Sequence, residues 1–143
     1  MAVQIRPLRR SDYQAMIALF RVSGLNPKTK GRDSPRSFSE QLRRNRSSYL
    51  GAFDGDRLAG VVLGTSDTRK AWINRLAVHP DYRRRSIARR LVRACERVLR
   101  QQGLKMFAAL IEPDNRASEA FFRSLGYEIL PILYARKKLR ESV

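Results

Sequence analysis

The stretch Leu76-Ala77-Val78-His79-Pro80-Asp81-Tyr82-Arg83-Arg84-Arg85-Ser86-Ile87-Ala88 runs from apolar residues through a basic turn into an amphipathic segment. Ala71 to Val78 has the composition of a strand, and His79-Pro80 ends it, because proline brings no N–H to a ladder. From about Ile87 to Gln102 the residues Ile87, Leu91, Ala94, Cys95 and Val98 recur on one helical face, and Gly103 supplies the stop. The turn between them therefore joins a strand to a helix. A helix N-terminus presents unpaired N–H groups and the positive end of a dipole, so a polyphosphate can dock there. Ser86 and Ala88 are small enough for close backbone approach, and three consecutive arginines add charge-assisted donors suited to phosphate oxygens. Taken alone, the turn reads equally well as a solvated basic helix start.

Upstream, Val3-Gln4-Ile5-Arg6 alternates as a short strand that stops at Pro7. Ser11-Asp12-Tyr13-Gln14 matches a capping box, followed by Ala15, Met16, Leu19 and Phe20 at helical spacing and a stop at Gly24. Asn26 to Asp33 is polar and reads as a loop, and Ser34-Pro35 opens a second helix with Phe38 and Leu42 facing inward. Tyr49 to Phe53, the turn Asp54-Gly55-Asp56, and Leu58 to Thr65 form a hairpin, and Ser66 to Lys70 is the next turn. Downstream, Met106 to Ile111 is an apolar strand, Asn115 to Leu125 a helix closed by Gly126, and two further strands are expected around Ile129 and Tyr134. The order is strand, two helices, three strands, helix, strand, helix, two strands. Such an order predicts a mixed α/β domain with helices covering a central sheet.

A chain of 143 residues fits one domain spanning 1–143, and 43% hydrophobic residues suffice for a soluble core. No apolar run reaches membrane-span length, no secretory signal is visible, and the one cysteine, Cys95, fits a reducing compartment. A cytoplasmic protein with no membrane partner is expected, as monomer or homodimer. Thirty basic against 13 acidic residues give a formal net charge of +17, a field that attracts anions of every kind. No aromatic-basic RNA motif, zinc-ligand spacing or helix-turn-helix pattern accompanies the charge, which argues against nucleic acid as a biological partner.

Leu76-Ala77-Val78-His79-Pro80, then Tyr82-Arg83-x-x-Ser86-x-Ala88, then Asn115 through Leu125-Gly126-Tyr127 resembles the GCN5-related N-acetyltransferase (GNAT) superfamily. The likeness is strong over the C-terminal two-thirds of the chain, and the N-terminal elements follow the family's order. The family's signature is Gln or Arg, two residues, Gly, one residue, then Gly or Ala; Arg83 and Ala88 fit it. The resemblance implies a GNAT fold: a central mixed, mostly antiparallel sheet of six to seven strands flanked by about four helices. It also implies acetyl-CoA as acyl donor, direct transfer to an amine of a small molecule or protein, and no metal. Leu76, Ala77 and Val78 would then lie on a splayed strand whose backbone holds the thioester and pantetheine. Arg83 and the backbone N–H groups across Arg84, Arg85, Ser86, Ile87, Ala88 and Arg89 would cradle the pyrophosphate. Asn115 would hydrogen-bond the pantetheine arm, and the position of Phe122 would lie near the sulfur.

Two departures stand out. Ser86 replaces the usual glycine, and Phe122 stands where the family's tyrosine-containing pattern has the general acid. Phenylalanine donates no proton, although a thiol with a pKa of about 8.5 is a fair leaving group unprotonated. Tyr134 or water is the expected substitute. A lysine-like amine, with a pKa of about 10.4, must also be deprotonated. Glu112 is the leading candidate base and Asn74 a candidate for positioning a water. His79 reads as a strand-end residue, Phe121 as core and Tyr82 as an anchor of the turn. Phe122 and Ser86 together also allow an alternative, a non-catalytic coenzyme A-binding or sensor module.

Overall fold

A computed structural model describes residues 2–143 of the chain. Five strands, β1 (Val3–Pro7), β2 (Tyr49–Asp54), β3 (Arg57–Ser66), β4 (Ala71–Val78) and β5 (Phe107–Ala109), form one sheet in the order β1-β2-β3-β4-β5. The first four pair antiparallel and β5 joins β4 in parallel. Helices α1 (Tyr13–Val22) and α2 (Pro35–Arg44) cover one face, and α3 (Ile87–Gln101) and α4 (Arg116–Ser124) the other.

The period-2 alternation of the strands builds both cores. On β3, Val62 packs beneath Leu91 and Cys95 of α3, while Val61 and Leu63 turn to Phe20 of α1 and Phe38 of α2. Small residues set the approach of α3: a methyl group on Gly60 would meet Leu91 and Ile87, and one on Gly64 would collide with the Cys95 sulfur. Gly24, with φ +85°, adopts the left-handed conformation that ends a helix, as its position after α1 predicts.

Three expectations need correction. The Ser11–Gln14 capping box does not form. Instead Asp12 accepts from the Arg9 amide at 2.7 Å and from Arg6 at 3.0 Å, closing a short 3-10 turn at Arg10–Asp12 before α1 begins. The sheet has five strands rather than six or seven. The segment expected to supply two more, around Ile129 and Tyr134, forms no strand, with Leu130, Ile132, Leu133, Tyr134 and Leu139 exposed. Pro131 removes one ladder donor there. This arm ends over the loop before α2, where Arg140 reaches the Lys30 carbonyl and the Ser142 backbone packs against Gly31. Among the described residues no helix is long and apolar enough to cross a membrane.

Candidate functional site

The site begins with a fault in the sheet. Leu63 lies opposite Arg75 and Gly64 opposite Ile73, so Asn74 is one residue extra on β4, a bulge. Pairing with β5 covers Ala71, Trp72 and Ile73 and ends at that point. From Asn74 to Val78 the edge of β4 turned away from β3 therefore meets no strand among the described residues. Where this open edge ends, a cleft of about 280 Å³ is lined by Val78, Tyr82, Arg83, Arg84, Ser86, Ile87, Ala88, Arg89 and Phe121.

The turn at the mouth of this cleft is held in an unusual backbone conformation. After a 3-10 turn at Pro80–Tyr82, Arg83 is extended, and Arg84 and Ser86 both lie in the left-handed region, with φ of 63° and 59°. A residue with a β-carbon pays about 1–2 kcal/mol to sit there, which is the physical reason glycine suits position 86. Ser86 caps α3 with its backbone alone: its carbonyl accepts the first helical bond, from the Arg90 amide at 3.0 Å, and its hydroxyl makes no capping bond. The N–H groups of Ile87, Ala88 and Arg89 consequently have no acceptor within the helix. Backbone donors, the positive end of the helix dipole and the residues Arg83, Arg84 and Arg89 all border one cleft, with the Arg89 guanidinium donating to the Ser124 hydroxyl at 3.2 Å. The size and charge of the cleft fit a diphosphate.

The turn is also clamped from below. Tyr82, 5% exposed, donates its hydroxyl to Asp54 at 2.5 Å, and that hydrogen bond, with burial, raises the phenol's pKa. Arg57 reaches Asp81 at 3.0 Å, and the Arg57 and Arg85 guanidiniums lie over the Tyr82 ring. His79, the one histidine, has its Nδ1 occupied by the Asp81 amide at 3.1 Å, so it acts as a turn residue.

The remaining expected residues are dispersed. Val78 reaches the cleft and its carbonyl accepts from Ser23 at the end of α1, at 3.3 Å. Leu76 packs toward α3, whereas Ala77 is buried on the opposite face with α1. Asn115 caps α4, its side-chain oxygen accepting from the Ser118 amide at 3.1 Å. Phe122, 6% exposed, belongs to the core and stacks edge-on against Phe121 and Tyr127. Its neighbour Phe121, read from the sequence as core, packs half-buried against that core and also lines the cleft. Arg85 borders Tyr82 and is not part of the cleft lining. Asn74, at the bulge, donates to the Thr65 hydroxyl at 2.7 Å. Glu112 is exposed in the loop before α4, and Tyr134 is 67% exposed on the C-terminal arm.

On the other side of β4 the loop before α2 is tied down by Asp33, which accepts from the Lys28 amide at 2.7 Å and from Arg75 at 3.1 Å. Asp67 accepts from the Arg69 and Lys70 amides and from the Trp72 indole. The two amide bonds lead in holding its carboxyl below the usual range. The contribution of Asp54 is invisible in sequence, since it depends on a contact 28 residues away.

Residues 6–127 match the sequence model of the Acetyltransferase (GNAT) family. An acetyltransferase of Pectobacterium atrosepticum is 29% identical over 140 residues, covering 97% of each chain. Among solved structures, the PaiA N-acetyltransferase of Thermoplasma acidophilum, crystallised with coenzyme A, superposes with a TM-score of 0.82 at 21% identity, covering 92% of this chain and 93% of that one. The ribosomal-protein-S18-alanine N-acetyltransferase of Escherichia coli gives 0.73 at 20% identity, over 87% of this chain and 77% of that one. These two share the fold. With a family match spanning most of the residues, including β4, the basic turn, α3 and α4, the chain belongs to the acetyltransferase (GNAT) family.

Proposed function

We propose that the protein is an acetyl-CoA-dependent N-acetyltransferase that moves an acetyl group directly to a primary amine of a small molecule or a protein. Family membership makes the chemistry acetyl transfer with acetyl-CoA as donor and gives the non-catalytic alternative no support. The observation that carries the site assignment is the cleft at the Val78 end of the open β4 edge, bordered by the left-handed turn and the start of α3. There the N–H groups of Arg84 to Arg89, with the Arg83, Arg84 and Arg89 side chains, would hold the pyrophosphate. The open edge at Leu76, Ala77 and Val78 and the Asn115 side chain would orient the extended arm.

With the phenylalanine side chain of Phe122 in the core, proton transfer must come from elsewhere. Glu112 as base, Asn74 as positioner of a water and Tyr134 as acid remain our assignments. Asn74 suits its role because its amide nitrogen is engaged by Thr65 while its oxygen can accept from water at the start of the open edge. Positioning alone supplies much of such a reaction, since orientation of the amine converts a bimolecular step into a local one. The Escherichia coli relative is named for a protein alanine, and the same acceptor class, a protein N-terminus, heads the candidates here.

Free thiol released from acetyl-CoA in the presence of an amine and peptide panel tests the proposal. Turnover with at least one amine is expected. Coenzyme A binding without turnover on any acceptor would overturn it. Glu112→Gln with full activity at neutral pH would remove the base assignment.

A further inference from the structure

Two left-handed non-glycine residues within three positions need an external restraint, because such conformations persist only where the surroundings over-determine them. The β2–β3 hairpin supplies contacts of that kind. Its Asp54 accepts the Tyr82 hydroxyl from below, and its Arg57 grips Asp81 at 3.0 Å and lies over the Tyr82 ring. Both partners belong to the short 3-10 turn that leads into Arg83, so hairpin and turn are joined on two sides. Arg85, between the two left-handed residues, lies over the same ring at 5.3 Å. Asp54 and Arg57 do not line the cleft; Tyr82 does, but its hydroxyl is engaged by Asp54.

We propose that Asp54, Arg57 and Tyr82 are positioning residues for the donor site: the hairpin buttresses the turn, holding Arg84 and Ser86 left-handed so that the backbone N–H groups converge on the pyrophosphate before it arrives. The inference rests on the assignment of the cleft to coenzyme A. Preorganised donors bind without an ordering cost, so loosening the buttress lowers affinity for the donor and leaves the acetyl-transfer step untouched. The deficit acts through backbone strain, so a glycine at position 86, which adopts the same conformation freely, restores what the buttress enforced.

The test is coenzyme A binding measured by calorimetry, with steady-state kinetics alongside. Tyr82→Phe keeps the ring and removes the hydroxyl. It is expected to weaken binding about tenfold and to raise the acetyl-CoA KM with kcat unchanged. Adding Ser86→Gly should bring affinity back to within about threefold of the parent, a non-additive pair. Arg57→Gln acts from the exposed side, where folding is not at risk, and should weaken binding in the same direction with the same rescue. Parent-like affinity in both Tyr82→Phe and Arg57→Gln would overturn the inference. So would a Ser86→Gly effect of equal size in parent and variant, which would show that the hairpin and the strained turn are uncoupled. Failure of the parent protein to bind coenzyme A would instead overturn the cleft assignment itself.

Discussion

At position 64 a single hydrogen atom in place of a methyl group decides whether α3 can lie on the sheet. The contact there is with Cys95, a thiol whose pKa burial, aided by nearby Glu96, pushes up to about 12, so it behaves as a small apolar side chain. Gly64→Ala is expected to cost about 1–3 kcal/mol in urea unfolding, and Cys95→Ala in the same chain should recover much of that loss. Parent-like stability of Gly64→Ala would show that α3 sits farther from β3 than described here. The inward position of Cys95 was legible from helical spacing. The demand on Gly64 was not, because it arises where two elements 31 residues apart cross. Ser86 differs again: its departure from glycine was visible in the sequence, but the left-handed φ that gives the departure its energetic meaning was not.

Among elements, α3 and α4 are held together by more than apolar contact. The Tyr127 hydroxyl, just past α4, donates at 2.6 Å to Glu96, a nearly buried carboxylate on α3. Burial first, and then that hydrogen bond, raise the tyrosine's pKa from its ordinary value of 10.0. Tyr127→Phe strands the carboxylate and is expected to cost about 1–3 kcal/mol. The folded-state pKa is raised, so the parent's advantage is fully present below about pH 10 and shrinks as pH climbs through the raised value. Denaturation of both proteins across alkaline pH checks this, and a difference that grows with pH would refute it. The order of the first nine elements was readable because each carries its own signal, such as Ser34-Pro35 before α2 or the Asp54–Asp56 turn between β2 and β3. The last two expected strands do not form, for the opposite reason. Residues 129–134 are apolar enough for strands, yet pairing depends on what lies beside them, and Pro131 brings no ladder donor. The parting of β4 from β5 was likewise beyond composition. It is set by one bulge residue, Asn74, whose extra place emerges only once β3 and β4 are in register.

For the whole molecule the dominant fact is a net charge of +17, which favours the expanded state through self-repulsion. Raising sodium chloride from about 10 to 150 mM shortens the range of that repulsion to about 8 Å. The melting temperature should therefore rise, while the acetyl-CoA KM rises as well because the same screening weakens attraction to the phosphates. A melting temperature that falls with salt would mean that the exposed ion pairs, such as Arg36–Glu40, outweigh the repulsion. Donor binding and fold stability meet again at the open edge of β4. A sheet in which β4 pairs with β5 only as far as Ile73 leaves Asn74 to Val78 with no strand on their outer side among the described residues, where only the Val78 carbonyl meets a side chain, that of Ser23. An extended molecule with amides of its own, laid along that edge as proposed for the donor, would take the place of the absent neighbouring strand. The protein would thus be completed by its own substrate, and how firmly it holds together would be set by supply: at about 100 times Kd a ligand that binds only the folded chain adds about 2.7 kcal/mol. A cell starved of acetyl donor would hold a softer, more readily degraded enzyme.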